Sequence, residues 1–98
     1  MDVRNILLYD VYKNLLNDSE RLCFESYYFN NLSLSEISIN FNISRNAIHK
    51  KLKVISNKLI EYEEKLNLYK KITKIEKLIK DDNLRKQILD VMEWYNVW

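Results

Sequence analysis

Six side chains within one short stretch have the types and the spacing needed to contact nucleic acid. They are Ser44, Arg45, Asn46, His49, Lys50 and Lys53. Arginine can pair with the edge of guanine and asparagine with that of adenine, whereas lysine neutralises phosphates. Residues 45–58 hold five basic side chains and no acidic one. Residues 1–44 hold three basic and six acidic side chains, and residues 59–98 hold eight of each, so the positive charge is concentrated in this stretch.

A helix that begins after Ser44 would place these side chains on one face. Serine is a good N-cap because its hydroxyl can accept from a free amide of the first turn. If Ile48 faces the core, an advance of about 100° per residue points Asn46, Lys50 and Lys53 outward. The first residues of such a helix lie nearest the base edges when it enters the major groove.

The residues before this helix have the pattern of a second, shorter helix and a tight turn. Ser33 and Glu36 have the spacing of a capping box, in which each side chain accepts from the other's backbone amide. Asn42 follows at the turn, where positive φ is needed and asparagine is the best alternative to glycine. Residues 33–55 therefore predict a helix-turn-helix.

The rest of the chain also predicts helices, so the fold class is all-α. The sequence has no glycine and no proline, which disfavours the tight turns of a β-rich fold, but it has twelve asparagines, several where a helix should end. A first helix is predicted over residues 5–16. A second begins with a capping box at Asn17 and Glu20, and has Leu22, Cys23 and Tyr27 on its apolar side.

One long helix is predicted from residue 45 to residue 80, with a break near Asn67 as the alternative, and a last helix over residues 84–95. The apolar stripe of the long helix has steps that alternate between four and three residues. It consists of Ile48, Leu52, Ile55, Leu59, Tyr62, Leu66 and Tyr69. We therefore expect a helix-turn-helix domain over residues 1–58 with a trihelical core. Residues 59–98 would be a helical extension that forms a homodimer, a monomeric helical hairpin being the alternative.

Other residues suggest a non-catalytic protein. His49 is the only histidine, no nucleophile has a histidine partner, and a glycine-rich phosphate loop is excluded. We expect no metal, no cofactor and no enzymatic activity. The carboxylates at 63–64 are interpreted as solvated helix surface and those at 81–82 as a helix boundary. Trp94 and Trp98 are expected to cover an apolar surface.

The cellular location is inferred from one cysteine and from hydropathy. Cys23 cannot form an intramolecular disulfide, and we expect it to be a small core residue in a reducing compartment. No apolar run approaches the roughly 20 residues of a membrane span, and residues 1–9 do not have the pattern of a signal peptide. The expected location is cytoplasmic.

The chain also resembles a known family, the YlxM proteins of bacteria, over residues 8–81. The matching segments are residues 12–16, 27–28, 32–37, 41–45, 47–48 and 62–66. The resemblance implies a DNA-binding helix-turn-helix similar to region 4 of sigma factors. It also implies a link to the signal recognition particle, since family genes tend to lie beside that of its protein component. Asn42 departs from the family, in which glycine is usual at this position, and residues 91–98 are unusual.

The function predicted from the sequence is a regulatory DNA-binding protein, with two alternatives. A lysine-rich outer helix face is often only solvated, and helix-turn-helix domains also bind proteins. The first alternative is therefore an interaction module of the protein-targeting or transcription machinery. The second is an RNA-binding protein, because a basic helix does not by itself distinguish RNA from DNA.

Overall fold

The computed structural model of the chain describes residues 3–79 and 81–92, and every regular element in this part is helical. The elements in chain order are α1 (Val3–Tyr12), a 3₁₀ turn (Lys13–Leu15), α2 (Asp18–Tyr28), α3 (Leu34–Phe41), α4 (Arg45–Leu66), α5 (Leu68–Leu78) and α6 (Asp82–Met92). The all-α prediction is therefore confirmed. None of the helices in the described ranges has the length and hydropathy required to cross a membrane.

Both predicted capping boxes are present. The Asn17 side chain accepts from the amide of Glu20 at 2.8 Å, and the Glu20 carboxylate accepts from the amide of Asn17 at 3.0 Å. Ser33 and Glu36 repeat the arrangement at 3.1 and 3.2 Å. Each pair satisfies amides that a helix N-terminus leaves without partners, and this fixes where α2 and α3 begin.

The core forms where α4 packs against α1, α2 and α3. Its most deeply buried side chains are Tyr12, Cys23, Phe24, Ile37, Ile48, Ile55 and Leu59. The expected core, formed by the first three helices with the start of the fourth, is thus present, and Cys23 is a buried core residue as predicted. Since α4 runs without interruption through residues 58 and 59, the proposed division of the chain at that point stays a prediction.

The apolar side predicted for α2 is only partly correct. Leu22 is 59% exposed and Tyr27 is 37% exposed, although helical spacing places both on the core side. The core position is taken by Phe24, whose ring stacks on Tyr9 at 4.1 Å and on Tyr28 at 4.3 Å between centroids. Stacked aromatic rings bury more area than a leucine could, so α2 turns its aromatic side inward.

The predicted continuous helix from residue 45 to residue 80 is wrong, and the alternative break at Asn67 is confirmed. Asn67 adopts left-handed angles (φ 54°, ψ 29°), which end α4 and redirect the chain into α5. The first helix also ends early, because residues 13–15 tighten into the 3₁₀ turn. The last helix begins at Asp82, two residues before its predicted start, and the predicted roles of Trp94 and Trp98 lie outside the described residues.

Glu63 does not belong to the solvated surface, which corrects the prediction for the carboxylates at 63–64. It is only 5% exposed. Its carboxylate accepts from the Tyr12 hydroxyl at 2.5 Å and from the amides of Tyr69 and Lys70 at 3.1 and 3.3 Å. Glu63 therefore accepts from free amides of the first turn of α5, as an N-cap residue normally does, although it belongs to the preceding helix. Glu64, its neighbour, is exposed as predicted.

Asn42 has the positive φ that the turn requires. In the described ranges all three non-glycine residues with positive φ are asparagines, and Asn42 is the one between α3 and α4 (φ 54°, ψ 41°). Its amide donates to Ile39 at 3.2 Å, and the next amide donates to Ser38 at 3.1 Å. These bonds close the end of α3 and set the direction in which α4 begins.

Replacing Asn42 with valine should lower the free energy of unfolding by about 1–2 kcal/mol, because a β-branched residue is strained in the left-handed region. Asn42→Gly should be neutral or mildly stabilising, since glycine reaches the same angles without steric cost. Thermal denaturation measures both. Asn40→Val, on the exposed side of α3, is the matched control. Equal melting temperatures for Asn42→Val and the parent would show that the turn does not depend on this conformation.

Candidate nucleic-acid interface

The start of α4, the second helix of the motif, is anchored by its cap and by a buried residue. The Ser44 hydroxyl accepts from the amide of Ala47 at 3.1 Å, which confirms Ser44 as the N-cap. One turn later, Ile48 is fully buried in the core that also contains Ile37 of α3. The burial of Ile48 fixes the rotation of the start of α4 about its axis and thereby decides which side chains face outward.

All six side chains predicted from the sequence to contact nucleic acid are exposed. They are Ser44, Arg45, Asn46, His49, Lys50 and Lys53. Arg45 and Asn46 form the first turn of α4, and Lys53 lies about 12 Å further along the axis at 1.5 Å per residue. The geometry thus provides an outward face with an arginine and an asparagine at its tip. The binding of nucleic acid to this face stays a prediction.

Two of the five basic side chains in residues 45–58 are engaged within the protein. The Lys58 ammonium donates to the Glu20 carboxylate at 2.6 Å. Burial acts to raise the pKa of Glu20, but the hydrogen bonds from Lys58 and from the Asn17 amide, together with the charges of Lys58 and Lys51, outweigh it and lower the pKa. The hydrogen bond with Glu20 raises the pKa of Lys58. Lys51 lies over the Phe41 ring at 5.8 Å from its centroid. The sequence does not show either contact.

The other three cations, Arg45, Lys50 and Lys53, are on the outward face. Within the described part of the chain, no carboxylate forms an ion pair with any of them. Their charge is therefore directed to solvent rather than compensated internally. A surface of this kind raises the local concentration of polyanions and strengthens binding to phosphates.

A cleft of about 380 Å³ lies beside the outward face and is not predicted by the sequence. Residues of α2, α3 and α4 line it, namely Tyr27, Tyr28, Leu34, His49, Leu52, Lys53 and Ser56. We call it the tyrosine cleft. His49 and Lys53 belong both to the cleft and to the predicted binding face. No pattern in the sequence indicates it, because Tyr27 and Tyr28 are about twenty residues before α4 and meet it only in the folded chain.

The chain matches a known protein family over residues 2–94. The family carries the description "Putative helix-turn-helix protein, YlxM / p13 like" and the name UPF0122. The match includes the helix-turn-helix, α5 and α6, so it extends beyond residues 8–81, where the sequence resembles the YlxM proteins.

Individual relatives agree with this match. A UPF0122 protein of Malacoplasma penetrans is 46% identical over 87 residues, which cover 86% of this chain and 81% of the relative. A UPF0122 protein of Caldanaerobacter subterraneus is 49% identical over 76 residues, 74% of this chain and 65% of the relative. One from Listeria welshimeri is 36% identical over 95 residues, 89% of this chain and 86% of the relative. This chain therefore belongs to the UPF0122 family of YlxM/p13-like helix-turn-helix proteins.

Proposed function

We propose that this protein is a non-catalytic regulator that binds duplex DNA by placing the first turns of α4 in the major groove. The observation that carries the proposal is the outward face of α4, where Arg45, Lys50 and Lys53 are exposed without carboxylate partners in the described chain. The membership in a helix-turn-helix family supports it.

The face divides into two parts with different roles. Arg45 and Asn46 are at the tip of α4, nearest to where base edges would lie, and their side chains can make the bidentate contacts that read guanine and adenine. Lys50 and Lys53 lie further back and can neutralise phosphates. The Ser44 hydroxyl is at the helix start, where an N-terminus commonly contacts a phosphate. We infer that the tip supplies sequence preference and the lysines supply affinity.

An unbiased selection from a random duplex pool at about physiological salt tests this function. A DNA regulator should enrich a defined sequence, and the enriched duplex should bind more tightly than an RNA duplex of the same sequence. Recovery of no enriched sequence, with equal weak binding to heparin, would contradict DNA regulation. It would favour an interaction module of the protein-targeting or transcription machinery. Tighter binding to the RNA duplex would indicate that the protein functions as an RNA-binding protein.

We further propose that residues 59–98 form a homodimer, which would present two copies of α4 to one duplex. None of the side chains of α5 is fully buried, and Leu78 at its end is 70% exposed. Leu84 in α6 is 49% exposed. Two consecutive amphipathic helices with exposed leucines present apolar surface that a second copy of the same helices could cover.

Sedimentation equilibrium at micromolar concentration should therefore give the mass of a dimer. Leu78→Asp should shift the equilibrium towards the monomer, because a carboxylate would have to be buried at the interface. Ile39→Asp is the matched control, since Ile39 is a similarly exposed residue (78%) on α3. A monomer mass for the parent at every concentration would refute the dimer and leave the monomeric hairpin.

A further inference from the structure

The tyrosine cleft has the chemistry of an anion site. Its lining includes three hydroxyls, one histidine and one lysine, but no carboxylate. The lysine, Lys53, has no carboxylate partner in the described ranges. The remaining walls are apolar and come from Leu34 and Leu52, together with the two tyrosine rings. A ligand that fits this cleft must therefore have a negatively charged group and a less polar part that contacts the apolar walls.

Two hydroxyls of the cleft are held in place by one buried side chain. Asn5 is 5% exposed, and its amide nitrogen donates to the Tyr28 hydroxyl at 3.1 Å. The Ser56 hydroxyl donates to the amide oxygen of Asn5 at 2.9 Å. The Tyr28 oxygen is thus occupied as an acceptor, and its own proton has no acceptor among the described residues. Where the hydroxyl meets the cleft, this proton could be donated to a ligand.

Tyr27 forms the outer wall of the cleft. It is 37% exposed, and its ring meets that of Tyr28 edge to face, with 5.1 Å between centroids. This contact restricts the orientation of the Tyr27 ring, so its hydroxyl requires little ordering upon binding. A tyrosine ring also offers apolar surface next to a polar tip, which suits a sugar joined to a phosphate.

The tyrosine cleft lies next to the part of α4 that would contact DNA. Arg45, His49 and Lys53 follow at intervals of four residues and form one row along α4, from the tip into the cleft. Lys53 is about 12 Å behind the tip along the helix axis. If the first turn of α4 reaches base edges, the cleft, which residues of α2 also line, would therefore lie outside the base contacts and on the side of a strand that borders the groove.

We propose that the tyrosine cleft holds one sugar-phosphate segment of the DNA strand that borders the groove occupied by α4. Tyr27 and Tyr28 donate hydroxyl hydrogen bonds to its phosphate, and Lys53 neutralises the charge. The tyrosine rings contact the deoxyribose. This inference rests on the proposed function and extends the contact surface from α4 to the end of α2.

Charge reversal at the outer wall is the first test. Tyr27→Glu should weaken binding of the selected duplex at least tenfold, because the new carboxylate would repel the phosphate. Leu22→Glu is the matched control: Leu22 is on the same helix, is 59% exposed and does not line the cleft. Circular dichroism of both variants reports folding. Equal affinity of the two variants would refute the inference.

Removal of single charges from the DNA is the second test and does not depend on a disruptive variant. Uncharged methylphosphonate linkages are placed one at a time along each strand. They should weaken binding at one or two positions outside the bases that α4 contacts. Tyr27→Phe should by itself weaken duplex binding about fivefold. In this variant a methylphosphonate at those positions should cause little further loss of affinity, because the two changes remove the same interaction. Tyr69→Phe, away from the cleft, should leave the methylphosphonate profile unchanged.

The outcomes separate this inference from the proposed function. A parent that binds no duplex contradicts both. A parent that binds a selected duplex, but whose methylphosphonate profile is the same with Tyr27→Phe, contradicts the cleft alone. Saturable binding of adenosine monophosphate that Tyr27→Glu abolishes, together with unchanged duplex affinity, would identify the cleft as a site for a free nucleotide and would also overturn the inference.

Discussion

Replacing Glu63 with alanine should lower the free energy of unfolding by about 3 kcal/mol, the largest loss of stability that we expect from one polar substitution. The buried carboxylate accepts from the Tyr12 hydroxyl and from two amides at the start of α5. The Tyr12 hydroxyl is buried and the two amides are partly buried, and a donor left without its acceptor in such surroundings costs about 1 kcal/mol. In a domain of this size, the melting temperature should fall by roughly 15 °C.

Two further variants distinguish this role from a general effect of charge. Glu64→Ala changes the same charge on the next residue, which is exposed, and should alter the melting temperature little. Glu63→Gln keeps one acceptor oxygen but directs an amide group at a donor, so its stability should lie between the parent and Glu63→Ala. If Glu63→Ala and Glu64→Ala had the same melting temperature, the cap that Glu63 provides for α5 would not contribute to stability.

Changing both Lys50 and Lys53 to glutamine should weaken binding to every duplex by about the same factor. Charge-assisted hydrogen bonds contribute about 1.5 kcal/mol each, so removing two corresponds to roughly 100-fold at low salt. The slope of log K against log salt should flatten by about two units, one for each phosphate that is no longer neutralised. Fluorescence anisotropy across a salt series measures both quantities.

The control for this variant has the same change in net charge at another place. Lys71 and Lys74 are exposed on α5, away from the outward face of α4. Their joint replacement by glutamine should change the slope much less. If both double variants gave the same slope, the lysines of α4 would act only through the net charge of the protein.

The parts of the fold that sequence predicts well depend on residues close together in the chain. The capping box of Ser33 and Glu36 spans three residues, and the N-cap at Ser44 acts on the amide of Ala47. The left-handed angle at Asn42 follows from its place between two helices. The sequence also predicts which side chains of α4 are exposed, because the buried position of Ile48 fixes the rotation of the helix about its axis.

The parts that sequence misses depend on partners far away in the chain. The sequence offers the break at Asn67 only as an alternative, because the contact between Glu63 and the Tyr12 hydroxyl beside it joins residues that are 51 positions apart. Nothing in the heptad-like spacing around Asn67 indicates a partner in α1. In the same way, Lys58 counts as a free cation in the sequence but bonds to Glu20, 38 positions away.

The tyrosine cleft could not be predicted for the same reason. Tyr27 has helical spacing with the apolar residues of α2, and this spacing predicts a core position. Its exposure results from the stacking of Phe24 between two other rings, which turns α2 about its axis. Periodicity within one helix indicates an apolar side only to within about one residue on either edge, and Tyr27 is such an edge residue.

The most direct measurement of the central claim compares the parent with Asn46→Ala on two duplexes. One is the sequence enriched from the random pool and the other is a scrambled duplex of the same composition. Asn46 is exposed at the tip of α4 and has no hydrogen bond from its side chain within the described chain, so alanine should not affect folding. We predict a loss of about 1–3 kcal/mol on the enriched duplex and much less on the scrambled one. Equal losses on both duplexes, or none on either, would contradict the claim that α4 reads DNA.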